Sequence, residues 1–87
     1  MEVSEILKDR AKTHGAFKNV ARLSFYLKDN FYKTKISKLT LTQQEAVNMI
    51  LHKIARIGAG NPSEIDHWRD IAGYATLIVM ELEDDSN

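Results

Sequence analysis

Apolar residues along this chain recur at spacings of three and four, and no stretch alternates with the period of two that a half-buried strand requires. Four segments follow from that rhythm. The first runs from about Val3 to Lys12, with Val3, Ile6, Leu7 and Ala11 on one face, and breaks at Thr13-His14-Gly15. The second runs from about Phe17 to Phe31 and carries the stripe Phe17, Val20, Leu23, Ser24, Leu27 and Phe31. A basic connector, Tyr32 to Leu39, follows without glycine or proline, so nothing in it forces the helix to stop.

The third segment begins at Thr42, where Thr42-Gln43-Gln44-Glu45 has the form of a capping box, and ends near Gly58. It is apolar almost all round, which marks it as the central helix. The fourth begins at Asn61-Pro62-Ser63-Glu64, with Asn61 as N-cap and Pro62 as first helical residue. Its apolar positions Ile65, Trp68, Ala72, Ala75, Val79 and Leu82 step by 3, 4, 3, 4 and 3, as a packing seam does. The acidic end, residues 83–87, is expected to fray. The short Gly58-Ala59-Gly60 link makes the last two helices an antiparallel hairpin. The expectation is a single all-α domain, bundle-like, over residues 1–87.

Composition narrows the setting. Eighty-seven residues bury little surface, and self-association is a common remedy, so a homo-oligomer is expected. There is no cysteine, which removes disulfides and thiolate metal sites and fits the cytoplasm. Twelve basic residues balance twelve acidic ones, so the footprint of a nucleic-acid-coating protein is missing. No run approaches the roughly 20 apolar residues of a membrane span.

Candidate chemistry gathers at the hairpin. Asp66 and Asp70 lie four apart on one face, with Gly73 following on it, where a glycine inside a helix makes room. Pairing residues about the link places Lys53 near Asp66, Arg56 near Glu64 and Met49 near Asp70. Two interpretations stand together. Lys53 and Arg56 form an inter-helix ion network with the aspartates, or they hold a phosphate while Asp66, Asp70 and Glu45 offer carboxylates to a metal such as Mg2+. His14, beside Gly15 and near Arg10 and Lys12, is either a packing residue of the corner or a phosphate donor or acid/base. Trp68 and Tyr74 suit a core or interface, or stacking on a base. Glu45, Asn48 and His52 form a polar line along the third helix, and His52 could approach His67 across the hairpin. Phe25, Tyr26, Phe31 and Tyr32 are candidates for an exposed contact surface.

Three ordered blocks carry a resemblance. Lys12-Thr13-His14-Gly15-x-Phe17, Met49-Ile50-x-His52-Lys53-Ile54-Ala55-Arg56-Ile57 and Asp66-x-Trp68-x-Asp70-Ile71-Ala72-Gly73-Tyr74-Ala75 resemble a family of small phage and prophage proteins, usually described as a domain of unknown function. The likeness runs from about Ile6 to Leu82. More distantly, Asp70-Ile71-Ala72-Gly73-Tyr74 is similar to the end of the metal-binding helix of the all-α MazG-type nucleoside triphosphate pyrophosphohydrolases. That likeness implies magnesium held by acidic pairs on two helices. Asp66 and Asp70 match one pair. Glu45-x-x-Asn48 matches the other with one acid missing, and Lys53 and Arg56 stand where further acids are expected.

Two functions from different classes are therefore expected of the chain. One is the handling of a nucleotide or cyclic nucleotide between the third and fourth helices, by binding, sequestration or magnesium-dependent hydrolysis. The other is a non-enzymatic phage protein that inhibits or adapts a host protein, such as a defence factor. A helix-turn-helix DNA-binding role has only Lys53 and Arg56 to support it.

Overall fold

The computed structural model describes residues 2–86, the last of these by its backbone only. It contains α1 (Val3–His14), α2 (Phe17–Thr34), α3 (Leu41–Ala59) and α4 (Ile65–Ser86), with no strand among the described residues. The all-α, bundle-like expectation holds, and the boundaries differ from it in instructive ways.

Helix α1 carries Glu5 in its first turn and Lys12 in its last, which suits the helix dipole at both ends. It stops at Gly15, whose φ of 85° lies in the region glycine enters freely. Helix α2 continues past Phe31 for three residues, because nothing in Tyr32-Lys33-Thr34 breaks it. Thr34 closes the end by donating its hydroxyl to the Asn30 carbonyl at 2.7 Å.

The cap of α3 is Thr40, not Thr42. The Gln43 N–H donates to Thr40 Oγ1 at 3.1 Å, and the Thr40 N–H donates back to Gln43 Oε1 at 2.9 Å. Glu45 has no part in this box. Helix α4 likewise starts later than expected, at Ile65. Asn61-Pro62-Ser63-Glu64 is a turn, in which Asn61 Oδ1 accepts from the Ser63 N–H at 2.9 Å and the Asn61 carbonyl accepts from the Glu64 N–H at 3.2 Å. Asn61 thus orders the turn before the helix instead of capping it. At its other end α4 is helical through Ser86, where a frayed tail was expected; Asn87 lies outside the described residues.

Helix α3 is central. Helices α2 and α4 both pack along it, and α1 leans on the α2 and α3 ends. The backbones of α2 and α4 do not approach each other, so the bundle is open, with extents of 50 × 26 × 21 Å. The buried apolar core among the described residues is Val20, Ala46 and Ala55, joined by the polar Ser24, Lys53 and His67. Two of the three apolar residues are alanines of α3, which let the neighbouring helices come close to its axis.

Helix α4 buries or half-buries Ile71, Tyr74, Ile78 and Glu81 on the side that packs on α3, while His67 at its start is buried against Thr13 and His14 of α1. The seam anticipated from Ile65, Trp68, Ala72, Ala75 and Val79 lies on the adjacent, exposed face. The spacing is as expected, but the side that meets α3 follows the second 3-4 repeat, which starts at His67.

Candidate functional site

Two backbone turns far apart in sequence meet at one corner of the molecule. The Thr13 carbonyl, in the last turn of α1, accepts from the Asn61 N–H at 3.1 Å and from His67 Nε2 at 3.0 Å. A carbonyl oxygen only accepts, so His67 Nε2 is the donor. Its ring is 1% exposed and is the largest fully buried side chain among the described residues. Gly15 and Gly60 make the approach possible. A Cβ on Gly15 would run into the Ala59 carbonyl, and one on Gly60 into the backbone of His14 and Gly15.

The corner places His14 against His67, with ring centroids 5.0 Å apart and planes tilted by 53°. His14 Nδ1 is buried and has no hydrogen-bond partner among the described residues. Beside it opens a cleft of about 620 Å³ between α1, α2 and α3. Ile6, Leu7, Phe17 and Val20 make its apolar walls. Lys8, Arg10, Arg56, His14 and His52 supply its polar groups, and no carboxylate of the described residues lines it.

Both imidazoles of the cleft resist protonation. Burial is the main cause in each, and cations add to it: Arg56, then Arg10 and Lys53 around His14, and Arg56, Lys28 and Lys53 around His52. His67 also adds to the effect at His14. His52 is held by Ser24 Oγ, 3.4 Å from its Nδ1.

Protonation of these rings on acidification has a direct consequence for stability. Unfolded imidazoles take up protons as the pH falls through about 6.5, while the folded ones, with depressed pKa values, do not. The unfolded state then binds more protons, so stability is full above that pH and declines below it. A lower Tm near pH 5.5 than near pH 7.5 is expected in differential scanning calorimetry, with a shallower pH dependence in His14→Asn. An equal Tm at the two pH values would contradict the buried, cation-flanked state of the rings.

The remaining candidates from the sequence divide between two faces of α3. His14 and Arg56 come together in the cleft. Lys53 does not join them there; its ammonium pairs with Asp70 Oδ2 at 3.0 Å, and its side chain is only 11% exposed. The hairpin register is therefore one turn away from the expected pairing of Lys53 with Asp66. Asp66 is exposed and makes a long 3.8 Å contact with Arg69. Glu45 is exposed on the first half of α3. Among the described residues no three histidine or acidic side chains form one group that could hold a metal ion, Glu45, Asp66 and Asp70 included.

Gly73 faces open space, where an added methyl group would have no neighbour within 4 Å, and the shallow depression beside it is lined by Asp70, Tyr74 and Leu77. Trp68 is exposed and donates its indole N–H to the Pro62 carbonyl at 2.8 Å. His52 and His67 do not meet, because His67 turns to α1 and His52 to α2. Of the aromatics on α2, Phe25 and Tyr26 are exposed, while Phe31 and Tyr32 are half-buried and Tyr32 donates to Asn48 Oδ1 at 2.7 Å. Sequence reasoning missed Lys8 and Phe17 as cleft residues and the Thr13 carbonyl as the shared acceptor. The available signal was the pair Gly15 and Gly60, whose bare backbones mark a close approach.

Among the described residues no helix is long and apolar enough to cross a membrane. No curated protein and no solved structure is significantly similar to the chain. Residues 2–81 match the model of a family described as a domain of unknown function (DUF6378), and with nearly its whole length covered the chain belongs to that family.

Proposed function

We propose that this protein binds a nucleotide in the cleft between α1, α2 and α3, with the phosphates on Arg56, Arg10 and Lys8 and the base against Phe17, Leu7 and Ile6. The observation that carries the proposal is the composition of that lining: three basic side chains and two imidazoles that resist protonation beside apolar walls, with no carboxylate among the described residues. An opening with cations at one part and hydrocarbon at another suits a ligand with an anionic end and a flat apolar end. The volume is within the range of small-molecule sites, about 300–1,000 Å³. This position differs from the face between α3 and α4, where Lys53 is already neutralised by Asp70.

His14 Nδ1 fits the same ligand. A buried ring nitrogen without a partner carries an energetic cost that a ligand hydroxyl or phosphate can remove. A phosphate beside the ring also offsets the cations that depress its pKa, so protons are taken up on binding and affinity rises as the pH falls from about 7.5 towards 6.

Thermal-shift and calorimetric titration with nucleoside mono-, di- and triphosphates and cyclic dinucleotides, with and without magnesium, tests the proposal. A ligand at a hundred times its Kd adds about 2.7 kcal/mol, which for a domain of this size is a Tm rise of roughly 10 °C or more. Arg56→Gln is expected to weaken that ligand at least tenfold, while Lys53→Met retains it. No stabilisation by any of these compounds, or equal binding by Arg56→Gln, would refute the cleft as a nucleotide site.

A second reading rests on α2. Phe17, Phe25 and Tyr26 are 82%, 72% and 64% exposed, an unusual aromatic display for a helix of 18 residues. Aromatic anchors of this kind dominate protein interfaces, and they suit a non-enzymatic protein that occupies a surface of a host protein. Recovery of one specific host protein by the wild type and by Arg56→Gln, but not by Phe25→Ser, would favour that reading over the first.

A further inference from the structure

Two 3-4 repeats run along α4, and only one of them is used within the chain. Ile71, Tyr74 and Ile78 lie on the side that packs on α3, and His67, at the start of the same repeat, is buried against the end of α1. Ile65, Trp68, Ala72, Ala75 and Val79 form the second repeat on an exposed flank. Ile65, Trp68 and Val79 remain 55%, 52% and 52% exposed. Apolar residues in that rhythm make the narrow stripe by which one helix packs along another.

The molecule as a whole exposes more surface than a compact monomer does. A folded monomer of 9.9 kDa is expected to expose about 5,200 Å² and to have a radius of gyration of about 12 Å. This chain exposes 6528 Å² and has a Cα radius of gyration of 15.2 Å. The excess is roughly 1,300 Å² per chain, or about 2,600 Å² for two, which falls in the range buried by obligate homodimers.

Charge selects both the occupant and its direction. Helix α4 ends in Glu81, Glu83, Asp84 and Asp85, an acidic cluster at the negative pole of the helix dipole, with no basic residue in the last turn. A parallel partner would stack two such ends. An antiparallel second copy instead sets each acidic end beside the positive pole of its partner. Arg69 and Glu83 are two heptads apart and border the seam on the same edge. In an antiparallel pair that edge meets itself, so Arg69 of each copy stands opposite Glu83 of the other. The intrachain contact that Arg69 makes with Asp66 is long and 70% exposed on both sides, and does not compete strongly.

We infer that the exposed flank of α4 is the interface for a second copy of this chain, with the two α4 helices packed antiparallel about a twofold axis near Thr76. A twofold pairing uses the same patch twice and closes after two subunits. The interface stands apart from the nucleotide cleft and does not depend on it.

Sedimentation velocity on the intact chain from about 1 to 100 µM reads the mass directly. The wild type is expected at about 20 kDa, twice the chain mass of 9.9 kDa. Val79→Glu and Ala75→Glu, both at exposed positions, are expected at 9.9 kDa with the helical circular dichroism of the wild type. Leu77→Glu, exposed on the opposite flank, and Arg56→Gln are expected to remain dimers. Arg69→Glu and Glu83→Arg should each weaken the dimer about tenfold, and the double exchange should restore it. A wild type that is monomeric throughout, a dimer that survives both seam variants, or a double exchange that restores nothing would overturn the inference.

Discussion

Gly15→Ala is expected to cost about 4 kcal/mol or more and to lower the Tm by roughly 20 °C or abolish cooperative unfolding. Three effects add. Alanine at the backbone angles of Gly15, φ 85° and ψ 162°, is strained by about 1–3 kcal/mol. Its methyl group would also occupy the place of the Ala59 carbonyl, a backbone atom that cannot turn aside. Relief of that collision separates the Thr13 carbonyl from the Asn61 N–H and from His67, and a buried imidazole deprived of its acceptor costs a further 1–3 kcal/mol or so. A small domain has little stability in reserve against this. Gly73→Ala is the control. Its methyl group meets nothing within 4 Å, and it should stabilise α4 by up to about 1 kcal/mol. Thermal and urea unfolding of the two variants gives the comparison; a loss of under about 1 kcal/mol in Gly15→Ala would show that the corner does not hold the fold.

The second large effect is expected at Asp70, and it is asymmetric. Lys53 is nearly buried and Asp70 is about half exposed, so the ion pair matters more to the lysine than to the aspartate. Asp70→Asn leaves an ammonium in the core without its counter-charge, at a cost of about 3 kcal/mol. Lys53→Met removes the charge, keeps most of the packed stem and leaves the carboxylate free to take up water, so it is expected to cost less than about 1 kcal/mol. Lys53→Met combined with Asp70→Asn should then be close to Lys53→Met alone. Equal losses in the two single variants would mean that the pair is an ordinary surface contact.

The periodicity of the chain showed the four helices and the central place of α3, because burial on two sides spreads the apolar residues of that helix, from Ala46 to Ile57, over most of its circumference. Finer features depended on choices that one sequence leaves open. Thr40-x-x-Gln43 and Thr42-x-x-Glu45 are overlapping frames of one capping signal, and only the chain's entry into α3 selects the first. The hairpin register was displaced because the turn Asn61–Glu64 adds about one helical turn of sequence before α4, which moves the partner of Lys53 from Asp66 to Asp70. On α4 two repeats compete. The one that begins at His67 sets a histidine and a glutamate beside Ile71, Tyr74 and Ile78, and a histidine buried against a carbonyl 54 residues earlier leaves no local trace. The cleft was legible only in part: His14 and Arg56 were visible as candidates, but their meeting depends on backbone contact between Gly15 and Gly60.

Helix α1 has no buried residue of its own. It is held by the Thr13 carbonyl, the glycine contact and the walls of the cleft, so its docking is an equilibrium of modest strength beside the folding of the other three helices. A molecule bound against Ile6, Leu7 and Arg10 would act as a strut between α1 and α3. The undocked fraction of α1 would lower apparent affinity in direct proportion, and a tightly held ligand would in turn make the amino-terminal segment as resistant to proteolysis as the rest of the chain.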